Sequence, residues 1–297
     1  GEDVDNKRIL IGEHLKITDK HLMSTVSLKK ASDTNDFRIT LSYLDLSLSS
    51  DSAAALAVDI DLVIVDPNNV VYRGNLREDN TEEHYSTNER VIIDHDDIVD
   101  GNYEIHVFTS YPSNLENSIK DVEFAVTIFG PLNDDKKLIQ FEKATKCIPV
   151  DAGSGSCNQE TTMNECNNLN YGRSCQTKAY EYMPDIPREV YKLRPYGVSY
   201  VALYYPFDRF EHINYQVTPA TVFEPKVAAF FDYENVGIEA EADQISVNSG
   251  ISISYTCPSS GPSSDIHAIL MIYNTSPYPV DFVVSSNTKQ EPTGKPT

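Results

Sequence analysis

The sequence predicts a mostly β protein, with two antiparallel β-sandwich or jelly-roll domains joined by a polar, disulfide-bonded connector. Hydrophobic residues recur with a period of two along most of the chain, which is typical of strands that bury one face. Turn-forming Pro, Gly, Asn and Asp residues separate short apolar runs, as in all-β domains. Four of the five cysteines lie together in a polar segment between two β-rich regions.

The first domain is predicted over residues 1–142. Residues 37–43 (FRITLSY) alternate apolar and polar side chains, which indicates a strand with one buried face. Residues 60–66 (IDLVIVD) form a nearly continuous β-branched run, as expected of a central strand, and Asp66-Pro-Asn-Asn69 then predicts a turn. Residues 103–108 (YEIHVF) alternate again after a second turn.

The connector is predicted over residues 143–190 and the second domain over residues 191–297. Strand patterns return at residues 196–205 and 266–273, and the connections between strands again carry Pro, Gly, Asn and Ser. A short helix is predicted at 188–193. The start at Gly1 and the linker-like tail QEPTGKPT lead us to expect that both ends are cuts in a longer protein.

The acidic charge restricts the partners. The 297 residues carry a formal net charge of -21, with a pI near 4.6. Such a charge repels phosphate backbones and anionic lipid, so we expect no nucleic-acid partner. No apolar run approaches the roughly 20 residues that a transmembrane helix needs, so we expect no membrane insertion.

The cysteines predict the compartment. Cys147, Cys157, Cys166 and Cys175 lie in a loop of Gly, Ser, Asn and Thr with little to bury, which disulfides most simply stabilise. Zinc is the rival explanation, weakened by the absence of a C-x-x-C pair. Four cysteines allow three connectivities, and the sequence does not choose among them. Cys257 is left over, as a buried thiol or with a partner elsewhere.

Disulfides predict a secreted, cell-surface or lumenal protein. The triplet Asn274-Thr275-Ser276 is consistent with this location, because it is an acceptor sequence for N-glycosylation. Asn274 is therefore a candidate glycosylation site.

Catalytic motifs are missing from the sequence. The seven histidines lie in no recognisable catalytic string, and H-E-x-x-H and the phosphate-binding glycine motifs are absent. Residues 153–156 (GSGS) follow no predicted strand, so they do not form a nucleophile elbow. We therefore predict no catalytic residues in this chain, which leaves open that it belongs to a larger enzyme.

Acidic residues near the central strand predict a calcium site. Asp59 and Asp61 flank Ile60 and point to one face, where two like charges are unfavourable unless a cation or water lies between them. Ca²⁺ takes six to eight oxygen ligands from flexible loops. The alternative is an acidic, solvated surface without an ion. The candidate ligands are Asp59, Asp61, Asp66, Asp79, Asn88 and Glu89.

Residues 36–130 resemble a known family. The order of the motifs is similar to that of the jelly-roll domain that follows the catalytic domain of many secreted subtilisin-like serine proteases. The segments that carry the resemblance are FRITLSYLD (37–45), VDIDLVIVDPNN (58–69), VYRGN (71–75), DN (79–80), NERVI (88–92) and GNYEIHV (101–107). The family's Trp is replaced here by Tyr43 or Leu44.

The resemblance implies an accessory domain, often stabilised by calcium, that supports a protease or selects its substrate. It implies calcium ligands at Asp59, Asp61, Asn88 and Glu89, and an upstream protease domain as partner. The protease's own His-Gly and Gly-Thr-Ser-Met motifs are absent. Function is thus predicted as a non-catalytic accessory region of such a protease.

The alternative function is an extracellular or lumenal binding module, such as an adhesin, a lectin-like domain or a cargo receptor, with a protein or carbohydrate ligand. Tyr196, Tyr200 and Tyr204 share strand parity, so one face could present three rings to a ligand. The opposing interpretation is that these rings pack inside the sandwich.

Overall fold

The chain divides into two compact units, Gly1–Gln176 and Thr177–Thr297. The computed structural model describes residues 8–16, 19–30, 36–45, 56–75, 86–110, 122–133, 138–150, 152–167, 169–182, 189–193, 198–204, 212–219, 226–230, 244–246, 251–256, 266–274 and 278–289. Within these ranges there is no α-helix, only a 3-10 turn at His95–Asp97, and hence no helix that could cross a membrane.

Short strands build the first unit, as the alternating pattern predicts. In chain order they are β1 (Arg8–Lys16), β2 (His21–Leu28), β3 (Phe37–Tyr43), β4 (Asp59–Val65), β5 (Val71–Arg73), β6 (Asn88–Ile93), β7 (Gly101–Ser110), β8 (Glu123–Gly130), β9 (Glu142–Lys143), β10 (Gly155–Asn158), β11 (Met163–Cys166) and β12 (Asn170–Tyr171).

Two sheets form the sandwich of this unit, with strand orders β1-β8-β3-β6 and β5-β4-β7-β2-β9. The large central core draws on both sheets: Ile39 on β3, Val126 on β8, Leu62 on β4 and Ile105 on β7 are all fully buried. Alternate residues of these four strands therefore pack between the two sheets, because side chains of one parity face the opposite sheet.

Strand β4 is buried on both faces, which explains its nearly continuous apolar sequence. Its residues Ile60, Leu62 and Ile64 belong to the central core. Its other face contributes to a smaller cluster that also contains a residue from the cysteine-rich segment: Val63, Val65, Phe108 and Ile148. The segment that follows β9 thus covers the outer face of this sheet.

The four clustered cysteines form two disulfides, as predicted. Cys147 pairs with Cys157 and Cys166 with Cys175, with Cα separations of 5.8 and 5.2 Å. Of the three connectivities that the sequence permits, the chain has the one between sequence neighbours. The disulfides indicate an oxidising, extracytoplasmic compartment. Cys257 lies outside the described residues.

The second unit is a further pair of sheets, with strand orders β14-β16-β21-β18-β19 and β15-β22-β17-β20. Its pairings are antiparallel except that β14 runs parallel to β16. The strands that begin in this unit are β13 (Thr177–Lys178), β14 (Tyr180–Tyr182), β15 (Glu189–Leu193), β16 (Val198–Tyr204), β17 (His212–Pro219), β18 (Lys226–Phe230), β19 (Gln244–Ser246), β20 (Ile251–Thr256), β21 (Ile266–Tyr273) and β22 (Val280–Lys289).

The predicted fold class is confirmed, whereas the helix predicted at 188–193 is wrong. Residues Glu189–Leu193 form strand β15, which pairs with Val280–Val284 of β22. The physical reason is the alternation of Val190, Tyr191 and Lys192, in which only the tyrosine is buried. That period of two suits an edge strand and would leave a helix without an apolar face.

Candidate functional site

Two buried histidines mark the interface between the first sandwich and the segment that covers it. We call the described residues of 147–176 the cysteine-rich cover. His21 on β2 lies opposite Phe108 on β7, two residues from His106, so the three side chains share the covered face of the sheet. His21 and His106 are 2% and 0% exposed. The rings of His21 and Phe108 stack, with centroids 4.1 Å apart.

A chain of hydrogen bonds runs from the cover through both histidines. His21 Nδ1 lies 2.9 Å from the carbonyl oxygen of Thr162 and 3.0 Å from its Oγ1. His21 Nε2 lies 2.9 Å from His106 Nδ1, and His106 Nε2 lies 3.3 Å from Oε2 of Glu104. The other oxygen of Glu104 accepts from Lys146 Nζ at 2.5 Å. The chain therefore joins the cover to β2 and β7.

Burial and neighbouring charges shift the protonation of two members. Burial, reinforced by the nearby His106 and Arg173, lowers the pKa of His21 from 6.5 to about 3. The hydrogen bond from His106, assisted by Lys146, lowers the pKa of Glu104 to about 2. Glu104 is thus a carboxylate at neutral pH, and His21 carries a single ring proton.

A buried ion pair is the second link between the cover and the sheet. Arg173 Nε and Nη2 lie 2.7 and 2.6 Å from the same oxygen of Asp61 on β4. The Arg173 and Asp61 side chains are 17% and 8% exposed, and the guanidinium carbon lies 5.3 Å from the centroid of Phe108. The cation beside Asp61 is therefore Arg173, whose planar guanidinium both pairs with the carboxylate and packs on the ring.

A third link lies at the end of β5. Arg73 Nε donates to Oγ of Ser174 at 3.0 Å, and its Nη2 makes a second, short hydrogen bond to the same oxygen. Ser174 Oγ in turn donates to Oε1 of Gln176 at 2.8 Å. The three links thus involve four strands of one sheet, β2, β7, β4 and β5.

The other predicted calcium ligands lie in separate local contacts. Asp66 Oδ1 accepts from the backbone N–H groups of Asn68 and Val70 at 2.8 and 2.7 Å, which closes the predicted turn. Asn88 Oδ1 accepts from Ser42 Oγ at 2.6 Å. Asp59 begins β4 and is half-buried, and Asp79 lies outside the described residues.

Glu89 is buried beneath the turn that follows β5. Its Oε1 accepts from Nδ2 of Asn75 at 2.9 Å, and a Cβ on Gly74 would stand 2.0 Å from its Oε2. Asn75, at φ 49°, also bonds the backbone of Arg90 through its own N–H and its Oδ1. Asn75 therefore bonds the edge of β6 as a residue of a neighbouring strand would.

The described acidic residues do not gather into one cation site. Over the described ranges, no three His, Cys, Asp or Glu side chains are placed to hold a metal ion together. Asp61 faces Arg173, Asp66 faces its own turn and Glu89 faces Asn75. These residues, as arranged, do not fit a shared calcium ion. The calcium site stays a prediction, and Asp79 is the member outside the described part of the chain.

An exposed aromatic ring of the second unit lies at a position that the sequence did not single out. Tyr200 and Tyr204 are 5% and 8% exposed, so neither presents an exposed ring, and Tyr196 lies outside the described residues. Tyr180 on β14 is instead 52% exposed. Its ring lies 5.0 Å from that of the buried Tyr191, between the edge strands of the two sheets.

The candidate glycosylation site is buried. Asn274 is 0% exposed, and its Nδ2 donates to the carbonyl oxygen of Tyr278 at 2.6 Å. The amide nitrogen that would carry a glycan thus bonds the backbone two residues before β22.

Known proteins share little with this chain. No family model matches it, and no curated protein matches it. Among solved structures, the CUB1-EGF-CUB2 domains of human MASP-1/3 and of rat MASP-1 align with TM-scores of 0.21 at 9% identity. The alignments cover 95% and 94% of this chain, and 100% and 97% of those chains.

Vicilin from hazelnut (Corylus avellana) aligns with a TM-score of 0.22 at 8% identity, over 96% of this chain and 75% of that one. Because all three TM-scores are so low, the alignments establish neither a shared fold nor a shared function. Any function must therefore be argued from the chain's own residues.

Proposed function

We propose that this protein is a secreted or lumenal binding module that recognises a protein partner and does no chemistry of its own. The observation that carries the proposal is Tyr180, an exposed aromatic ring with a fixed support. The two disulfides supply the compartment.

The polar groups of the first unit support this role because they are engaged in holding its parts together. His21 binds Thr162 of the cover, Asp61 pairs with Arg173, and Glu89 binds Asn75. Each is a residue type that an enzyme uses, but here each bridges segments distant in sequence. A role in architecture accounts for their burial.

Tyr180 has the properties of a binding hot spot. Its ring contacts Tyr191, and Tyr191 stacks on Phe282 with centroids 5.3 Å apart and an interplanar angle of 20°. Tyr191 and Phe282 are buried, so the exposed ring is supported from behind. A tyrosine fixed in this way loses little side-chain entropy on binding and offers an apolar ring with a polar hydroxyl.

The test is a binding screen with a matched control. The full chain is screened against a panel of purified secreted and cell-surface proteins and against arrayed glycans, and affinities are measured for wild type, Tyr180→Ala and Tyr278→Ala. Tyr278 is the control because it is similarly exposed, at 56%, in the same unit. We expect a protein partner whose affinity falls about 30-fold or more with Tyr180→Ala, as for a typical hot spot, and is unchanged with Tyr278→Ala. Glycan binding alone, or protein binding indifferent to Tyr180, would overturn the proposal.

A second candidate is an accessory region of a secreted subtilisin-like protease. One observation favours it: residues that carry the resemblance, Gly74, Asn75, Asn88 and Glu89, meet at one turn, where Asn75 Nδ2 donates to both Glu89 and the carbonyl oxygen of Asn88. The precursor tests this candidate. A serine-protease domain encoded upstream in the same reading frame would support it, and an upstream region without one would exclude it.

A further inference from the structure

The attachment of the cysteine-rich cover depends on a histidine. His21 contributes the hydrogen bonds to Thr162, and its ring lies between the sheet and the cover. Both disulfides join residues that lie within 147–175, so no disulfide ties the cover to the sheet beneath it, and apart from the main chain that leads out of β9 the attachment is non-covalent. The cover can therefore leave the sheet through loss of non-covalent contacts alone.

The hydrogen-bond chain fixes the number of protons on the histidine pair. The carbonyl oxygen of Thr162 only accepts, so His21 Nδ1 carries a proton. The Oγ1 of Thr162 donates to the carbonyl of Thr161, so it too accepts from His21. The carboxylate of Glu104 accepts from His106 Nε2, and one proton lies between His21 Nε2 and His106 Nδ1. Three ring protons satisfy every bond. That is one more than two neutral imidazoles carry, so this arrangement gives the pair a single positive charge, next to the carboxylate of Glu104.

A fourth proton has no place in this arrangement. With both inner nitrogens protonated, the N–H groups of His21 and His106 would point at each other across 2.9 Å. The added charge would also lie near Arg173, which lowers the proton affinity of His21. The carboxylates of Glu104 and Asp61 are already paired with Lys146 and Arg173.

Among the described residues, the other charged side chains around His21 provide no anion that would stabilise a second positive charge on the His21–His106 pair. On the neighbouring strand β9, Lys143 lies opposite Leu22 and pairs with Asp19 at 3.2 Å. Lys20 precedes His21 in the chain. Toward the cover, the charge of Arg173 also opposes protonation of His21.

We propose that the His21–His106 pair is an acid-sensitive latch, which holds the cysteine-rich cover on the first sandwich. The latch releases the cover when both imidazole rings become positively charged. Release would uncover the apolar residues Val63, Val65 and Phe108 on the outer face of the sheet, which pack with Ile148 in the closed state. The latch is independent of the binding function proposed above.

The sign of the effect follows from the shift at His21. Its pKa is about 3 in the closed state and has the ordinary value of 6.5 once the ring reaches water. The released state thus binds more protons between pH 6.5 and 3, and the closed state is lost as the pH falls through this window. Each unit of pH below 6.5 shifts the equilibrium about tenfold toward release, so we expect about 100-fold at pH 4.5.

The experiment is hydrogen–deuterium exchange of the full, oxidised chain at pH 7.5 and pH 4.5, corrected for the intrinsic exchange rate. In the wild type we expect protection of residues 152–176 to fall about 100-fold at pH 4.5 while strand Phe37–Tyr43 stays protected. His21→Gln should abolish the pH dependence. His95→Gln, which changes a histidine outside the chain of bonds, should behave as wild type.

Three results would overturn the latch. The first is wild-type protection of the cover that does not change between the two pH values. The second is equal loss in strand Phe37–Tyr43, which would indicate global unfolding. The third comes from ¹⁵N NMR of wild type at pH 7.5, independent of any variant, if His21 proves to carry no proton on Nδ1.

Discussion

Gly74 lies directly against Glu89, so that a Cβ on Gly74 would stand 2.0 Å from the Oε2 atom and 3.2 Å from the Cβ of the glutamate. The glutamate is 3% exposed and bonds Asn75 in the same turn. A glycine is therefore required here by the close approach of a buried carboxylate, and not by an unusual backbone conformation. Two segments of the family resemblance, VYRGN and NERVI, meet at this contact.

We predict that Gly74→Ala lowers the free energy of unfolding by about 2 to 3 kcal/mol, because the methyl group displaces Glu89 and disturbs its bond to Asn75. Urea unfolding followed by circular dichroism measures it. In a Glu89→Ala background the same glycine change should have less than half of this effect. An equal loss in both backgrounds would show that the two residues do not conflict.

The buried position of Asn274 predicts a structural role for its side chain and no glycan at this residue. Asn274→Ala removes the buried donor to the carbonyl oxygen of Tyr278, and we expect a loss of about 1 to 2 kcal/mol in unfolding free energy. Tyr278→Ala keeps the accepting carbonyl and should have a smaller effect. Intact mass spectrometry of secreted protein should show no glycan at Asn274, and occupancy of that site would contradict the buried placement.

The lowered pKa of Glu104 predicts that part of the protein's stability is lost at acid pH. Its pKa is lowered from 4.5 to about 2, so its contribution to stability is present above pH 4.5 and is lost as the pH falls toward 2. Glu104→Gln should lower stability at pH 7 and flatten the fall in stability between pH 4.5 and 2. Urea titrations at a series of pH values test this, with Glu142→Gln as an exposed control. Parallel profiles for Glu104→Gln and wild type would refute it.

Reduction should loosen the cysteine-rich cover while the first sandwich stays folded. The central core of the first unit extends no further along the chain than Ile139 and the adjacent Phe141, so it does not include the cover. In the presence of a reductant, we expect faster hydrogen exchange in residues 152–176 and unchanged exchange in β3 and β8. Simultaneous loss of protection in both would show that the cover belongs to that core.

Much of the first sandwich is predictable from local sequence. The alternation in residues 37–43 corresponds to β3, where side-chain period and burial agree. Residues 103–108 also form a strand, the middle of β7, but His106 and Phe108 are buried on its second face. The continuous apolar run of β4 also indicates that a further segment covers this strand, since its residues are buried on both faces. The turn at Asp66 follows from its own side chain, which bonds the backbone of Asn68 and Val70.

The contacts of the cover could not be predicted in the same way. His21 and Thr162 are 141 residues apart, and Asp61 and Arg173 are 112 apart. No local period encodes such pairs, so the sequence did not indicate the guanidinium that pairs with Asp61, and the calcium ion stays a prediction. Likewise, strand parity grouped Tyr200 with Tyr204 without indicating that their side of the strand is buried.

The Asp61–Arg173 pair offers the most direct test of the claim that the acidic residues of the first unit are structural. We would measure urea unfolding of wild type, Asp61→Ala, Arg173→Met and the double variant, each in millimolar Ca²⁺ and in EDTA. The account predicts a loss of about 3 kcal/mol for Asp61→Ala, the same in both buffers, and a coupling energy above about 1 kcal/mol in the cycle. A coupling energy near zero, with a larger Asp61→Ala loss in Ca²⁺ than in EDTA, would contradict it and make Asp61 a calcium ligand.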